Sequence, residues 1–312
     1  MTIHLQEPIV VGVDGTEESQ VAVRFAALEA RRNGCGLRLV HAMPETVPMA
    51  PMLPLISVET LDQVGHRIVN GAKQLAYDVV DGDLQVEGVV RPGSRVRVVL
   101  AAAEDARMVV LGRRDRSLLG RVFTGSTCAG VAPRSRCPVV SVPNGWAPED
   151  PSGPVVVGVK DARSSRDALA AGFALAAQRG TRLVVLHAWK LPSGYDDIVV
   201  SRDAVDEWIA SAKTMVEDLL DDWRGSYPEV NVEIDLRHEY PAPALVAASE
   251  RAGLLVLGRH GQHTPWGMRL GSKAHALLRE SRCPVLIALP QPTEEPLPSR
   301  PYMTADEYAP QA

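Results

Sequence analysis

Several features that mark special protein classes are missing from this sequence. No apolar run is long enough to cross a bilayer, and the short polar start of the chain does not resemble a secretory signal. Basic residues are not in excess, because the formal net charge is -5 and the pI is near 5.9. A nucleic-acid-binding face needs clustered positive charge. We therefore expect a cytoplasmic protein that binds neither membranes nor nucleic acid.

Patterns typical of metal sites and of catalysis are also scarce. The four cysteines include no C-x-x-C pair, so we expect free, buried thiols in a reducing compartment: Cys35, Cys128, Cys137 and Cys283. His260 and His263 are close in sequence but have no cysteine or carboxylate cluster beside them, so no metal site is predicted. Paired carboxylates, a G-x-S-x-G elbow and a supported Cys–His arrangement are absent from the sequence, so no catalytic residue is predicted.

What the sequence does contain is an internal repeat. The segments IVVGVD, LRLVHA, VVLGRRD and SRCPV return as VVVGVKD, LVVLHA, LVLGRHG and SRCPV. Each pair is offset by 146 positions, as Gly12 is from Gly158 and Cys137 from Cys283. A repeat of this length indicates a duplicated domain rather than a solenoid unit.

The repeat and its irregular flanks divide the chain. We predict one domain over 1–143 (copy 1) and a second over 154–290 (copy 2), joined by the Pro- and Gly-rich stretch Pro143–Pro154. Residues 291–312 are predicted to be a disordered tail. The segment 44–54 is either a flexible flap over a site or a packed surface loop.

Within each copy, short β-branched runs alternate with helical patterns. A helix between the first two strands is predicted to open at Ser19 and to end at Asn33-Gly34. Strand and helix alternate throughout, which predicts an α/β fold of two doubly wound five-stranded parallel sheets covered by helices on both faces. The predicted strands of copy 1 are 9–14, 37–42, 84–90, 107–111 and 138–142.

The candidate site lies where such a sheet binds ligands, beyond the carboxyl ends of its strands at the point where strand order reverses. Asp14 ends the first strand, and its carboxylate is able to accept hydrogen bonds from ribose hydroxyls or an adenine amine. Taken alone, an aspartate there is more typical of a turn or an N-cap. In copy 2 a glycine-rich loop follows the fourth strand, from Gly258 to the helix that begins near Ser272. Helix N-termini attract anions, although the loop matches neither of the common dinucleotide and Walker motifs.

The loop spacing G-x2-G-x9-G-[ST], together with Asp14 and the duplicated strand order, resembles the ATP-binding universal stress proteins. The resemblance extends over both copies, from Pro8 to Pro290. It implies a Rossmann-like fold of the adenine-nucleotide alpha-hydrolase type with strand order 3-2-1-4-5, and it implies ATP as ligand, with or without Mg²⁺. It also implies that the fifth strands of the two copies pair with each other, and that the chain forms a homodimer.

The same resemblance implies nucleotide contacts in each copy. In copy 1 these are Gly12, Asp14, Ala42, Gly112, Arg113, Gly125, Ser126 and Thr127. In copy 2 they are Gly158, Lys160, Asp161, Ala188, Gly258, Arg259, Gly261, Gly271 and Ser272.

Each copy departs from the family pattern at one place. Asp115 replaces the second loop glycine in copy 1, and Lys160 replaces the first-strand aspartate in copy 2, with Asp161 after it. A carboxylate beside phosphates at about 5 Å costs roughly 3 kcal/mol at an effective dielectric of about 20. Losing one charged hydrogen bond costs about 1.5–3 kcal/mol. We therefore expect copy 2 to bind ATP somewhat better.

Three functions remain open from the sequence. The first is a non-enzymatic ATP-binding regulator of a stress or dormancy response, and the second is a slow ATPase or nucleotidyl transferase on the same fold. The third is an interaction module with degenerate nucleotide sites. We expect His41 and His187, at equivalent strand ends, to be structural, and Trp146 and Trp266 to be packing anchors.

Overall fold

The three-dimensional structure of the chain is a computed structural model. The structure describes residues 7–45, 58–113, 127–147, 153–190, 202–259, 263–264, 267–268 and 270–289. The predicted tail, most of the 44–54 segment and the middle of the predicted linker lie outside the described residues.

Copy 1 alternates strands and helices as its sequence predicts. Its strands are β1 (Ile9–Gly12), β2 (Leu37–Met43), β3 (Val86–Pro92), β4 (Met108–Arg113) and β5 (Val139–Pro143). Its helices are α1 (Glu17–Asn33), α2 (Val58–Val79), α3 (Arg95–Ala102) and α4 (Thr127–Val131).

Copy 2 repeats this order. Its strands are β6 (Val155–Val159), β7 (Leu183–Ala188), β8 (Val232–Arg237), β9 (Leu254–Gly258) and β12 (Val285–Ala288), with the short pair β10 (His263–Thr264) and β11 (Gly267–Met268) inserted before the last. Its helices are α5 (Ala162–Arg179), α6 (Arg202–Ser226), α7 (Pro241–Ala248) and α8 (Ser272–Glu280).

Local sequence signals account for the bounds of α1. Thr16 is its N-cap and accepts a hydrogen bond from the Ser19 amide, so the helix begins two residues before the predicted Ser19. Gly34 ends it with a φ of 61°, a left-handed conformation that suits glycine. Acidic residues in the first turn and basic residues in the last turn complement the helix dipole.

The long strands form one ten-stranded sheet in the order β3-β2-β1-β4-β5-β12-β9-β6-β7-β8. Each half has the expected order 3-2-1-4-5, and all pairings within a half are parallel. The halves meet where β5 pairs with β12 in antiparallel orientation. The two predicted five-stranded sheets are thus joined edge to edge into one continuous sheet, as the expected pairing of the fifth strands implies.

The junction has local twofold symmetry. Val140 lies opposite Leu286, and these residues are equivalent because they are 146 positions apart. On either side, Val139 faces Ile287 and Ser141 faces Val285. Replacing each residue by its equivalent in the other copy reproduces the same set of pairs. A pseudo-twofold axis therefore passes through the Val140–Leu286 pair.

The sheet is buried on both faces, which explains why its central strands are almost wholly apolar. One core lies beneath α1, α2, α5 and α6, and the other beneath α3, α4, α7 and α8. Both cores continue across the junction between the copies. Trp146 packs edge-on against Phe25, with ring centroids 5.3 Å apart, so its predicted role as a packing anchor is confirmed. Trp266 lies outside the described residues.

Candidate functional site

The candidate site in copy 1 is built at the carboxyl ends of adjacent strands. β1 lies between β2 and β4, so strand order reverses at β1, and a crevice forms where the connections leave in opposite directions. Asp14 follows β1, Ala42 lies near the end of β2, and Gly112 lies near the end of β4. The fold thus brings these three predicted site residues to one edge of the sheet.

Asp14 is exposed and held in a defined orientation. Its Oδ1 accepts hydrogen bonds from the Thr16 hydroxyl at 2.5 Å and from the Thr16 amide at 3.2 Å. Burial acts to raise the pKa of Asp14, but the hydrogen bonds from Thr16 and Ser19 outweigh it and hold the pKa below its ordinary value. The side chain is therefore a fixed carboxylate acceptor at an exposed position.

Glycines near Asp14 allow close approach of the backbone. Gly15 has a φ of 82°, which a residue with a Cβ rarely adopts, and it turns the chain from β1 into α1. A Cβ at Gly112 would collide with the backbone carbonyl of Glu18 in the first turn of α1. Gly112 is thus required for β4 to pack against α1, in addition to its predicted contact with a ligand.

The histidines at the ends of β2 and β7 have the structural role that the sequence predicts. The Nδ1 of His41 lies 2.8 Å from the carbonyl oxygen of Val13, and that of His187 lies 3.2 Å from the carbonyl oxygen of Val159. Because a carbonyl only accepts, each ring donates its Nδ1 proton. These bonds tie neighbouring strands together beside Ala42 and Ala188.

The phosphate-binding end of the predicted site is only partly described. Gly125, Ser126 and Gly261 lie outside the described residues, as do Asp115 and His260. Thr127 begins α4, which has five residues. In copy 2, Gly271 is the N-cap of the nine-residue α8, and Ser272 is its first residue.

The equivalent edge of copy 2 has a different turn and a different charge. Asp161 is the N-cap of α5, where its Oδ1 accepts a hydrogen bond from the Ser164 amide at 2.8 Å. Burial acts to raise the pKa of Asp161, but hydrogen bonds to Ser164 and the charge of Lys160 outweigh it and lower the pKa. Asp161 has an extended φ of -154°, whereas the equivalent Gly15 is left-handed. Asp161 therefore caps a helix that begins one position earlier than in copy 1, and it does not replace Asp14.

Two lysines define this edge of copy 2. The Lys160 side chain is 73% exposed, and its Nζ lies 3.6 Å from Oδ2 of Asp161. Lys273, in the first turn of α8, was not among the predicted site residues. Burial and the charge of Lys160 lower the pKa of Lys273, while the charge of Asp161 acts to raise it, so both lysines belong to the charged groups of this edge. The 146-residue offset could have identified Lys273, because it occupies the position of Thr127.

Arg113 and Arg259 have a role that the sequence does not predict. The guanidinium of Arg113 donates to the carbonyl oxygen of Leu277 at 3.1 Å, to the hydroxyl of Ser281 at 3.0 Å and to the carbonyl oxygen of Ser281. Arg259 donates to the carbonyl oxygens of Ala132 and Ser135 at 3.3 and 2.6 Å. Each arginine thus binds the end of a helix in the other copy. Their guanidinium groups are engaged between the copies, and their predicted contacts with a nucleotide stay predictions.

The glycines of the first strands serve packing. A Cβ at Gly12 would lie 2.7 Å from a methyl carbon of Leu111, and one at Gly158 would lie 2.9 Å from methyl carbons of Leu245 and Leu257. Core side chains occupy the space in which a side chain at either glycine would lie, so at these positions the missing side chain serves packing. Gly258 ends β9 as predicted.

The structure also shows the state of the cysteines and the arrangement of the side-chain types that bind metals. All four cysteines are free, and three are buried, whereas Cys35 is only half-buried. Among the residues that the structure describes, no group of three or more His, Cys, Asp or Glu is placed to hold a metal ion. No helix in the described part of the chain is long and apolar enough to cross a membrane.

Comparison with known proteins gives a consistent result. The model of the universal stress protein family matches residues 6–143 and again 152–288. A universal stress protein of Mycobacterium tuberculosis (strain ATCC 25618 / H37Rv) is 32% identical over 295 residues, which cover 91% of this chain and 97% of the relative. One of Mycolicibacterium smegmatis is 30% identical over 288 residues, with the same coverage of both chains.

Among solved structures, a universal stress protein from Archaeoglobus fulgidus DSM 4304 has a TM-score of 0.63 at 17% identity. The match covers 91% of this chain and 98% of that one. At this identity the likeness concerns the fold alone.

Proposed function

Because this chain belongs to the universal stress protein family, we propose that it is an adenine-nucleotide-binding regulator, rather than an enzyme, that acts in a stress or dormancy response in the cytoplasm. The observation that carries the proposal is the placement of Asp14. An exposed carboxylate stands where strand order reverses, beside the ends of β2 and β4. Carboxylates near the carboxyl ends of strands in doubly wound sheets accept hydrogen bonds from ribose hydroxyls.

ATP, with or without Mg²⁺, is the ligand we propose for this site. Asp14 accepts the ribose hydroxyls, and the backbone of Ala42 at the end of β2 contacts the nucleoside. The phosphates extend toward the helix that follows the fourth strand, since a helix N-terminus stabilises anions. In copy 2 that helix is α8, which begins at Ser272.

The proposal of a regulator rather than an enzyme is supported by the electrostatics of Asp14. A general base works best with a pKa near the operating pH. The hydrogen bonds to Asp14 lower its pKa from an already acidic value, which makes it a poor proton acceptor. A slow ATPase is the alternative: ATP hydrolysis well above background, abolished by changing one residue, would establish it and overturn the proposal.

The experiment is nucleotide identification followed by calorimetry. Mass spectrometry of the purified protein should find a bound adenine nucleotide. Titration with ATP, with and without Mg²⁺, should then give roughly tenfold to hundredfold weaker binding at one site in Asp14→Ala, because a charged hydrogen bond contributes about 1.5–3 kcal/mol. The matched control is Asp83→Ala, an exposed aspartate that precedes β3 at the opposite edge of the sheet. Absence of any nucleotide binding would favour the degenerate interaction module.

We also propose that the chain forms a homodimer. β5 and β12 pair with each other inside the chain, as the family resemblance implies, so they are not available to a second copy. The edges left open in the ten-stranded sheet are β3 and β8. Sedimentation that shows only a monomer over a wide concentration range would exclude the dimer.

A further inference from the structure

The two copies present opposite charges at equivalent positions of their candidate sites. In copy 1, Asp14 follows β1, and α1 opens with Glu17 and Glu18 in its first turn. In copy 2, Lys160 follows β6, and the first turn of α5 contains no acidic residue. The difference is therefore local and occurs where the proposed nucleotide would place its ribose.

The helix after the fourth strand adds to the contrast. Lys273 stands in the first turn of α8, where copy 1 has the uncharged Thr127. Lys273 is partly buried beside Lys160 and Asp161, and burial together with the like charge of Lys160 lowers its pKa. Two ammonium groups near the N-terminus of a helix repel each other, and an anion bound between them would relieve that repulsion.

Asp161 offsets only part of this positive charge, because one carboxylate faces two lysines. Its Oδ1 accepts the Ser164 amide as an N-cap, its Oδ2 lies 3.6 Å from Nζ of Lys160, and its side chain is only 17% exposed. Lys160 is 73% exposed, so water screens this ion pair and the ammonium group is able to turn toward a ligand. The copy 2 edge thus lacks the carboxylate that accepts ribose hydroxyls and instead has two cationic donors.

We propose that the copy 2 site selects a nucleotide whose ribose carries a phosphate, with Lys160 and Lys273 as the residues that determine this specificity. In dinucleotide-binding folds, an acidic residue accepts a free ribose hydroxyl, whereas a basic residue accommodates a ribose phosphate. The exchange of Asp14 for Lys160 is the same change of recognition chemistry. The inference rests on the proposed function, because it requires that both copies bind nucleotides at this edge.

The test compares ligands of equal phosphate content. Calorimetry of the full chain is carried out with ADP and with adenosine 2′,5′- and 3′,5′-bisphosphate, which differ from ADP only in where the second phosphate is attached. We expect one site, copy 2, to bind at least one bisphosphate about tenfold more tightly than ADP, and the other to prefer ADP. Because two phosphate monoesters carry up to one more negative charge than the diphosphate of ADP, ATP is titrated as the ligand of matched charge, and a preference for a bisphosphate over both ADP and ATP identifies ribose recognition.

Variants assign the effect to its residues. Lys160→Ala and Lys273→Ala should each weaken bisphosphate binding roughly tenfold and change ADP binding less than about threefold. The control is Arg182→Ala, which removes one positive charge from a 55% exposed side chain that precedes β7 at the opposite edge of the sheet. Circular dichroism establishes that each variant is folded.

The outcomes separate the two proposals. If ADP and ATP bind but neither bisphosphate is preferred at any site, the ribose-phosphate inference is wrong while the proposed function stands. An equal weakening of ADP and bisphosphate in the lysine variants would show that the lysines attract phosphate without regard to the ribose, and it would also overturn the inference. If no adenine nucleotide binds, both proposals fail.

Discussion

Arg113 donates hydrogen bonds to both the hydroxyl and the carbonyl oxygen of Ser281, a residue 168 positions later in the chain. The equivalent Arg259 donates to the carbonyl oxygen of Ser135, so the contact is repeated about the pseudo-twofold axis. Each arginine ends or follows a fourth strand and reaches the segment that leads into the fifth strand of the other copy. This reciprocal contact joins the two copies beside the β5–β12 pairing.

The arginine contacts predict unequal effects on stability. Arg113 is buried and donates three hydrogen bonds to Leu277 and Ser281. Bonds from charged donors contribute about 1.5–3 kcal/mol each and are not additive, so Arg113→Ala should lower the free energy of unfolding by roughly 4 kcal/mol. Arg259 is less buried, and Arg259→Ala should lower it by roughly 2 kcal/mol. Urea unfolding measures both. Arg97→Ala, which removes an exposed ion pair, is the control, and a larger effect at Arg259 than at Arg113 would contradict the assignment.

A second contact between the copies involves a buried ion pair. The guanidinium of Arg179 lies 2.8 Å from a carboxylate oxygen of Glu29, and the two side chains are 5% and 1% exposed. Among the described residues, Arg179→Ala leaves the buried carboxylate of Glu29 with Arg32 as its ion-pair partner, so we expect a loss of about 3 kcal/mol in unfolding free energy.

The test is a double-mutant cycle of this pair in urea. Replacing both residues by methionine should recover most of the loss, because apolar side chains of similar volume avoid the desolvation of two charges. The exposed pair Arg182–Glu233 serves as the comparison and should contribute less than about 1 kcal/mol. If the double variant has a lower free energy of unfolding than both single variants, this expectation is wrong.

Asp161 should make stability depend on pH in the acid range. Its folded-state pKa lies below the ordinary value of 3.8, so its contribution is fully present above pH 3.8 and is lost as the pH falls through the folded-state pKa. Asp161→Asn keeps an oxygen acceptor for the Ser164 amide and removes the titrating group. As the pH is lowered from 6 into the acid range, the free energy of unfolding should therefore fall less steeply for this variant than for the wild type.

The cap itself gives an independent check at neutral pH. Asp161→Ala should lower the unfolding free energy by about 1 kcal/mol, whereas Asp161→Asn should change it little, because asparagine is also a good N-cap. If alanine and asparagine behave alike at neutral pH, capping is not the contribution of this residue.

Thiol reactivity should follow burial. Burial raises the pKa of Cys128 and of Cys283 to about 12, which leaves almost no thiolate at neutral pH. Cys35 is half-buried, and burial raises its pKa too, so we expect it to react first but slowly. The reaction of a colorimetric thiol reagent with the native protein should include a slow kinetic phase that is absent in the Cys35→Ser variant. Rapid modification of Cys128 or Cys283 before unfolding would be inconsistent with the structure.

The position of the candidate site could be predicted from local signals, but its chemistry could not. The end of the first strand, the histidine contacts to backbone and the glycine ending α1 all follow from patterns within a few residues. The different role of Asp161 could not be predicted, because capping depends on the residue at which α5 begins. Lys273 was missed because its proximity to Lys160 arises only when β6 and β9 pair side by side.

The sequence by itself determined the duplication, the alternation of strands and helices and the order of strands implied by the family resemblance. These properties depend on composition and periodicity, which short stretches of chain carry. Only the tertiary structure decided the antiparallel register in which β5 and β12 join the two sheets, and that Arg113 binds Ser281. An arginine beside a glycine-rich loop has the same local sequence whether it contacts a nucleotide or the other copy. The antiparallel pairing of β5 with β12 determines the partner, because it brings the end of one helix of the other copy within hydrogen-bonding distance of the arginine.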